Sequence, residues 1–238
     1  MAQRSWSSIA FLLAFVSLVF TFIAFVIGLI LAFVTSSSAT LGFALENAVD
    51  FFSSILVCWR FYDGSRGTPS TRTVEEKLEL REKRASIGIG VTFVLLAFVV
   101  GATASSHLAA HEPPANVHLL VALAAPSATI FVPLGLLKVW VGYKTNSASM
   151  KKDGVCSLFG ATLSLGVIAG VAVYGADEKL WFVDAVVALV VALLLLLVGA
   201  DTLVRNAYKG NKYWTRRFWT ESGVVLAEVT LEQHPYLG

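Results

Sequence analysis

The chain has 238 residues, 56% of them hydrophobic and only 14% charged, against roughly 25% charged in an ordinary soluble domain. A soluble fold of this size cannot bury so much apolar surface, which excludes a disordered chain, a disulfide-built secreted domain and a conventional cytosolic enzyme. Two cysteines supply no disulfide framework, and a net charge of +2 gives no case for nucleic acid as a partner.

Six stretches are apolar enough to cross a bilayer, which takes about 20 residues each. They fall near 9–34, 39–61, 87–104, 117–141, 154–174 and 180–204. The first is preceded by Arg4 and followed by small residues, as a signal peptide would be. Its apolar run far exceeds the about 7–15 residues of a cleaved core, so it reads as a retained span. The second, ATLGFALENAVDFFSSILVCWRF, carries Glu46 and Asp50, with Cys58 near its end. After it, DGSRGTPS is turn-prone and VEEKLELREKRA reads as a helix leading into the third span, its mixed charges a solvated face.

Between the third and fourth spans, HLAAHEPPANVH holds His107, His111 and His118, with Glu112 adjacent. The cluster suits a divalent metal or a pH response; the simpler reading is polar residues closing a loop around Pro113 and Pro114. Pro126 and Pro133 kink the fourth span, and Lys138 lies near its inner end. In the fifth, Asp153 stands where a carboxylate favours the positive end of a helix, and Cys156 follows it. Gly154, Gly160, Gly166 and Gly170 permit close helix contact. In the sixth, Asp184 either caps the helix or binds backbone, and Asp201 stands four before Arg205, a salt-bridge spacing. The tail segment YKGNKYWTRRFW interleaves Trp214 and Trp219 with basic residues, as a juxtamembrane anchor or a contact to anionic lipid does.

Basic residues set the expected orientation. Of the 18 lysines and arginines only Lys179 falls opposite the others, so both termini are expected in the cytosol by the positive-inside rule. Trp6, Trp59, Trp140 and Trp181 at the ends of spans agree with it. The expected organisation is a cytosolic N-terminus (1–8), a six-span all-α membrane domain (9–207) and a short cytosolic tail (208–238) with no separate metal-binding domain.

Glu46 and Asp50 are the functional signal. Four apart, they share a helix face with about 6 Å of rise between them, and Asp50 falls close to mid-bilayer. A charge at that depth costs about 2.5–3.5 kcal/mol, and two on one face repel unless a proton or a cation sits between them. No lysine or arginine is expected at similar depth, which points to a cation or proton pathway rather than a structural ion pair. Asn47 adds a carbonyl ligand or a helix-packing hydrogen bond. Cys156 is either a small buried hydrophobe or, facing the pair, a soft ligand added to two hard ones, a set that suits zinc. Cys58 lies off that face and reads as packing.

The pattern resembles the cation diffusion facilitator superfamily of zinc efflux proteins, and more closely its divergent branch, the transmembrane protein 163 family. The resemblance rests on Glu46-x-x-x-Asp50 in the second span after the serine-rich run 36–39. It extends to Ser147, Asp153 and SLFGATLSLGVIAGV before Asp184. The positions matching the fifth-span ligand pair are Cys156 and Gly160, so a four-ligand site does not carry over. The resemblance implies a homodimeric, multi-pass Zn²⁺ transporter of a vesicle, endosomal or plasma membrane, with protons as counter-ion and no enzymatic activity. The metal ligands expected are Glu46, Asp50 and Cys156, the last only if the fifth helix begins earlier than hydropathy suggests, near Ser147. A non-transporting zinc-binding adaptor that modulates partner channels is the alternative.

Overall fold

A computed structural model describes residues 2–35, 38–65, 72–111, 117–208, 213–215 and 218–219. Part of the serine-rich run at 36–39, the loop residues Glu112, Pro113 and Pro114, and most of the tail lie outside the described residues. The rest is helical: α1 (Ala2–Thr35), α2 (Ser38–Ser65), α3 (Arg72–Ala110), α4 (Val117–Lys144), α5 (Ala148–Ala176) and α6 (Val183–Tyr208), with one 3-10 turn at Glu178–Leu180. All six helices contain a segment long and apolar enough to span a membrane. In lipid a helix is favoured because it satisfies its own backbone groups.

The helices pack chiefly as pairs, α1 with α2, α4 with α5 and α3 with α6. Between the pairs, α2 packs on α3 and α1 on α4, while α5 touches α2, α3 and α6 as well as its partner α4. Small residues allow this closeness. A side chain at Gly154 would meet the Val139 backbone nitrogen at 2.7 Å and the Gly135 carbonyl oxygen at 2.9 Å. A side chain at Gly170 would meet Asp184 Cβ at 2.7 Å. The apolar core gathers Val57, Phe61, Phe93, Leu96, Met150 and Leu195. Large side chains on the outward faces, such as Phe33, Phe98 and Leu193, remain exposed, as a lipid-facing surface requires.

Two elements differ from their sequence-based bounds, and both matter for the site. The helix entering the third span is continuous with it, so α3 projects well beyond the apolar run. Helix α5 begins at Ala148 rather than 154, with Ser147 as its N-cap accepting from the Met150 amide. Glu82 of α3 secures that start. Its carboxylate accepts from the Ser149 amide (2.6 Å), the Ser147 hydroxyl (2.9 Å) and Arg60 Nε (2.8 Å). A carboxylate there satisfies donors that a helix N-terminus leaves open and complements its dipole. Glu82 was expected on a solvated face; instead it is mostly buried and clamps α2, α3 and α5 together. The α4–α5 turn is correspondingly tight, with Asn146 at φ 49°.

Trp6 packs edge-on to Trp140 at 5.2 Å between ring centroids, and Arg60 meets Glu82, so these groups share one end of the bundle. At the other end the His111 ring lies 5.2 Å from Trp181.

Candidate cation site

Along the middle of α2, from 46 to 57, the buried positions are Glu46, Asn47, Asp50, Ser53, Ser54 and Val57. That spacing is one helical face, and here the buried face is polar rather than apolar. It looks onto α5, whose buried face presents Asp153, Cys156 and Ser157.

Lys138 stands at the centre of this polar layer, 0% exposed. Its ammonium lies 2.8 Å from Asp153 Oδ2 and donates to Ser17 Oγ (2.6 Å) and Ser157 Oγ (3.0 Å). The other carboxylate oxygen of Asp153 accepts from Ser53 at 2.7 Å. Ser157 in turn reaches Asp50, 3.2 Å from Oδ2. One connected network therefore runs from α1 through α4 and α5 to the mid-helix carboxylate of α2.

Two sequence expectations are corrected by this arrangement. A basic residue does stand at the depth of the carboxylates. Because α4 continues to Lys144, Lys138 sits about 9 Å inside the helix end, and its long stem carries the charge inward. Asp153 does not serve the positive end of α5. With the helix starting at Ala148, it lies in the second turn, wholly buried, and pairs with Lys138. The signal that marks Lys138 in the sequence is its place in the apolar run LGLLKVWVG, since an intramembrane charge seldom lacks a partner.

Glu46, Asp50 and Cys156, the three expected ligands, line one cavity of about 10 Å³ together with Asn47, Ser157 and Gly160. The Cys156 and Asp50 side chains stand side by side in its wall, next to Ser157. Cys156 is 2% exposed, Asp50 6% and Glu46 9%. Among the described residues no three His, Cys, Asp or Glu side chains are gathered around one point closely enough to hold an ion. Asp50 and Cys156 share the cavity wall with Ser157, which bonds Asp50, and Glu46 lies a helical turn away along α2. Asn47 donates to the Phe43 carbonyl (2.8 Å) within its own helix.

Gly160, where the sequence offers no ligand, has a positive role. A Cβ there would stand 2.6 Å from Glu46 Oε1, so the Glu46 carboxylate occupies space that any other residue would fill. Glu46 makes no hydrogen bond or ion pair with another described residue. It also lines a second, wider pocket of about 110 Å³ with His107, Asp184, Thr103 and Ser164.

The remaining candidates separate. Asp184 accepts from the Ala185 amide (2.8 Å) in the first turn of α6, the backbone-binding alternative. Asp201 pairs with Arg205 at 2.7 Å, as its spacing predicts. Cys58 is half-buried against the apolar core. His107 lines the wide pocket, His111 packs on Trp181 at φ 52° and His118 is exposed, so the three histidines do not converge.

No family model matches the chain. It is similar to transmembrane protein 163 of Xenopus laevis, with 26% identity over 200 residues. The match takes in 84% of this chain and 65% of that protein, so the chain spans less than two thirds of its relative's length. Over most of its length, then, this six-helix membrane chain has a homologue in a transmembrane protein.

Proposed function

We propose that the chain is a zinc efflux transporter, moving Zn²⁺ out of the cytosol across a plasma, vesicle or endosomal membrane in exchange for protons. The observation that carries this reading is the small buried cavity shared by Glu46, Asp50 and Cys156. Two carboxylates and a thiolate form a mixed hard and soft set suited to zinc over harder ions such as manganese. The resemblance to the cation diffusion facilitators supports the same cargo and, with it, a homodimer.

Charge accounting supports the exchange. The buried layer holds three carboxylates, Glu46, Asp50 and Asp153, and one buried cation, Lys138, which pairs with Asp153. With the three carboxylates and the Cys156 thiolate ionised the layer carries three excess negative charges, of which a divalent ion neutralises two; protons on the same groups replace it when the ion leaves. Zinc binds deprotonated ligands, so its entry displaces protons. Opening toward an acidic compartment returns protons to the carboxylates and releases the ion. In this cycle Asp50 and Cys156 form the first contact, and Glu46 adds a ligand as α2 and α5 adjust. Asp153 and Lys138 hold the charge balance without touching the cargo.

A second reading is a non-transporting adaptor that binds zinc and modulates partner channels. The network from Ser17 to Asp50, which ties α1, α2, α4 and α5 together, is the kind of rigid frame such a scaffold needs.

Zinc uptake into proteoliposomes with an imposed proton gradient separates the two. Wild-type flux that is lost in Glu46→Gln and in Asp50→Asn is expected. Flux indifferent to both substitutions would sink the site, and a folded wild type with no flux would favour the adaptor. Cys156→Ser is expected to transport still, with its preference for zinc over manganese reduced.

A further inference from the structure

Beside the small cavity lies the pocket of about 110 Å³, and Glu46 is the one acidic residue common to both. Its walls come from α2, α3, α4, α5 and α6 and are mainly apolar, with Leu120, Leu163 and Val167 among them. Three groups able to bind a cation border it: Glu46, His107 and Asp184. No three of them are close enough to grip a bare ion directly. Volume makes the distinction chemical. One water needs roughly 10–15 Å³ by this measure, so the small cavity takes a single water or a bare ion. The wide one takes several waters at once. A cation enclosed by waters, held at a distance by two carboxylates in a low-dielectric pocket, fits the larger space and not the smaller.

Glu46 has the properties of the group that connects them. It is 9% exposed, without a hydrogen-bond or ion-pair partner among the described residues. Its carboxylate sits in the gap left by Gly160. A buried carboxylate lacking a partner is costly unless a proton or cation serves it. From this position it can replace the waters of an ion passing between the two spaces.

We propose that the wide pocket is a second cation site, binding a hydrated divalent ion between His107, Asp184 and Glu46, and that Glu46, seated on Gly160, strips and passes this ion to or from the Asp50–Cys156 cavity. The proposal rests on the transport reading above and adds a staging site to it. Selectivity then has two stages, charge in the wide pocket and ease of dehydration with thiolate affinity in the small one. The three carboxyl and imidazole groups bind the ion mostly through water, so this site is the weaker of the two.

Cobalt(II) distinguishes the sites, because a thiolate ligand gives a charge-transfer band that oxygen, nitrogen and water ligands do not. Full-length protein in nanodiscs is titrated with Co²⁺ alone, reading bound metal and the band together. The wild type is expected to bind one ion with the band and a second, weaker ion without it. The His107→Gln, Asp184→Asn double variant should lose only the second ion, and Cys156→Ser should lose only the band. Should that double variant fail to fold, Gly42→Leu fills the pocket from α2, where the nearest atom to a new Cβ is 3.7 Å away; it too should lose the second ion alone. Gly160→Ala, which displaces Glu46, should keep the band while zinc flux is lost.

A wild type that binds only the banded ion, or a second ion that survives both pocket variants, would overturn the proposal while leaving the Asp50–Cys156 site intact. A second ion sensitive to those variants but no band would sustain the wide pocket and sink the Asp50–Cys156 site instead. Folded protein that binds neither ion overturns both.

Discussion

Lys138 and Asp153 form an ion pair of the kind that is expensive to half-remove. Both side chains are 0% exposed, and the side chains that hydrogen-bond them are serine hydroxyls. Lys138→Met strands Asp153 and leaves Asp50 without its nearby cation. It is expected to cost about 3–5 kcal/mol, read as a lowered unfolding midpoint in detergent. Adding Asp153→Leu removes the stranded charge, and much of that loss should return, because an apolar pair of similar size carries no desolvation penalty. A double variant no more stable than Lys138→Met would show that Lys138 chiefly serves Asp50. The sequence already marked Glu46 and Asp50, because two acids four apart in an apolar run are anomalous by themselves. The partnership of Lys138 with Asp153 was not legible. The two lie on different helices, and nothing in either helix alone says that their faces meet.

At the scale of elements, the site depends on how closely α4 and α5 approach. Gly154 sits next to Asp153 and two before Cys156, so the helix crossing and the site share a turn. A methyl group at Gly154 would meet main-chain atoms of α4, the Val139 nitrogen and the Gly135 oxygen, which cannot rotate aside. Gly154→Ala is therefore expected to destabilise by about 1–3 kcal/mol and to depress zinc flux, since α5 must move and carry Asp153 and Cys156 with it. Gly175→Ala is the matched control. Nothing lies within 4 Å of a Cβ there, and it sits inside the same helix. It should be neutral or stabilising by up to about 1 kcal/mol. Equal effects of the two substitutions would mean that helix propensity, not interhelical contact, governs both. Six spans and the helix feeding α3 were readable from hydropathy and charge. The early start of α5, near Ser147, was expected only as the condition for Cys156 to be a ligand, because hydropathy alone left Lys151, Lys152 and Asp153 before the span. What keeps them helical is tertiary: Glu82 holds the first turn, Asp153 finds Lys138, and Lys152 donates to Ser86 at 2.7 Å.

For the whole molecule, the direction of transport depends on which end faces the cytosol. The bundle keeps the segregation of charge seen in the sequence. Arg60 meets Glu82, Lys144 lies over Trp140 and Lys152 meets Ser86, all at the end shared by Trp6. The end marked by the His111–Trp181 contact has Lys179 close by in the 3-10 turn. Translocation disfavours clustered lysine and arginine in short loops, so the first end should remain cytosolic. The wide pocket reaches His107 and Asp184, both toward the second end, so with the first end in the cytosol an ion staged there would be on the non-cytosolic side of Asp50 and Cys156. That geometry is the one export requires. An N-glycosylation acceptor, Asn-x-Thr on a flexible insert, reports the side in a way that does not depend on which organelle holds the protein. Placed within 112–116 it should be modified, and appended after Gly238 it should stay unmodified. The reverse pattern would put the wide pocket on the cytosolic side. The same residues would then describe an entry vestibule feeding Asp50 and Cys156, and export from the cytosol would need its proton coupling argued from the opposite end.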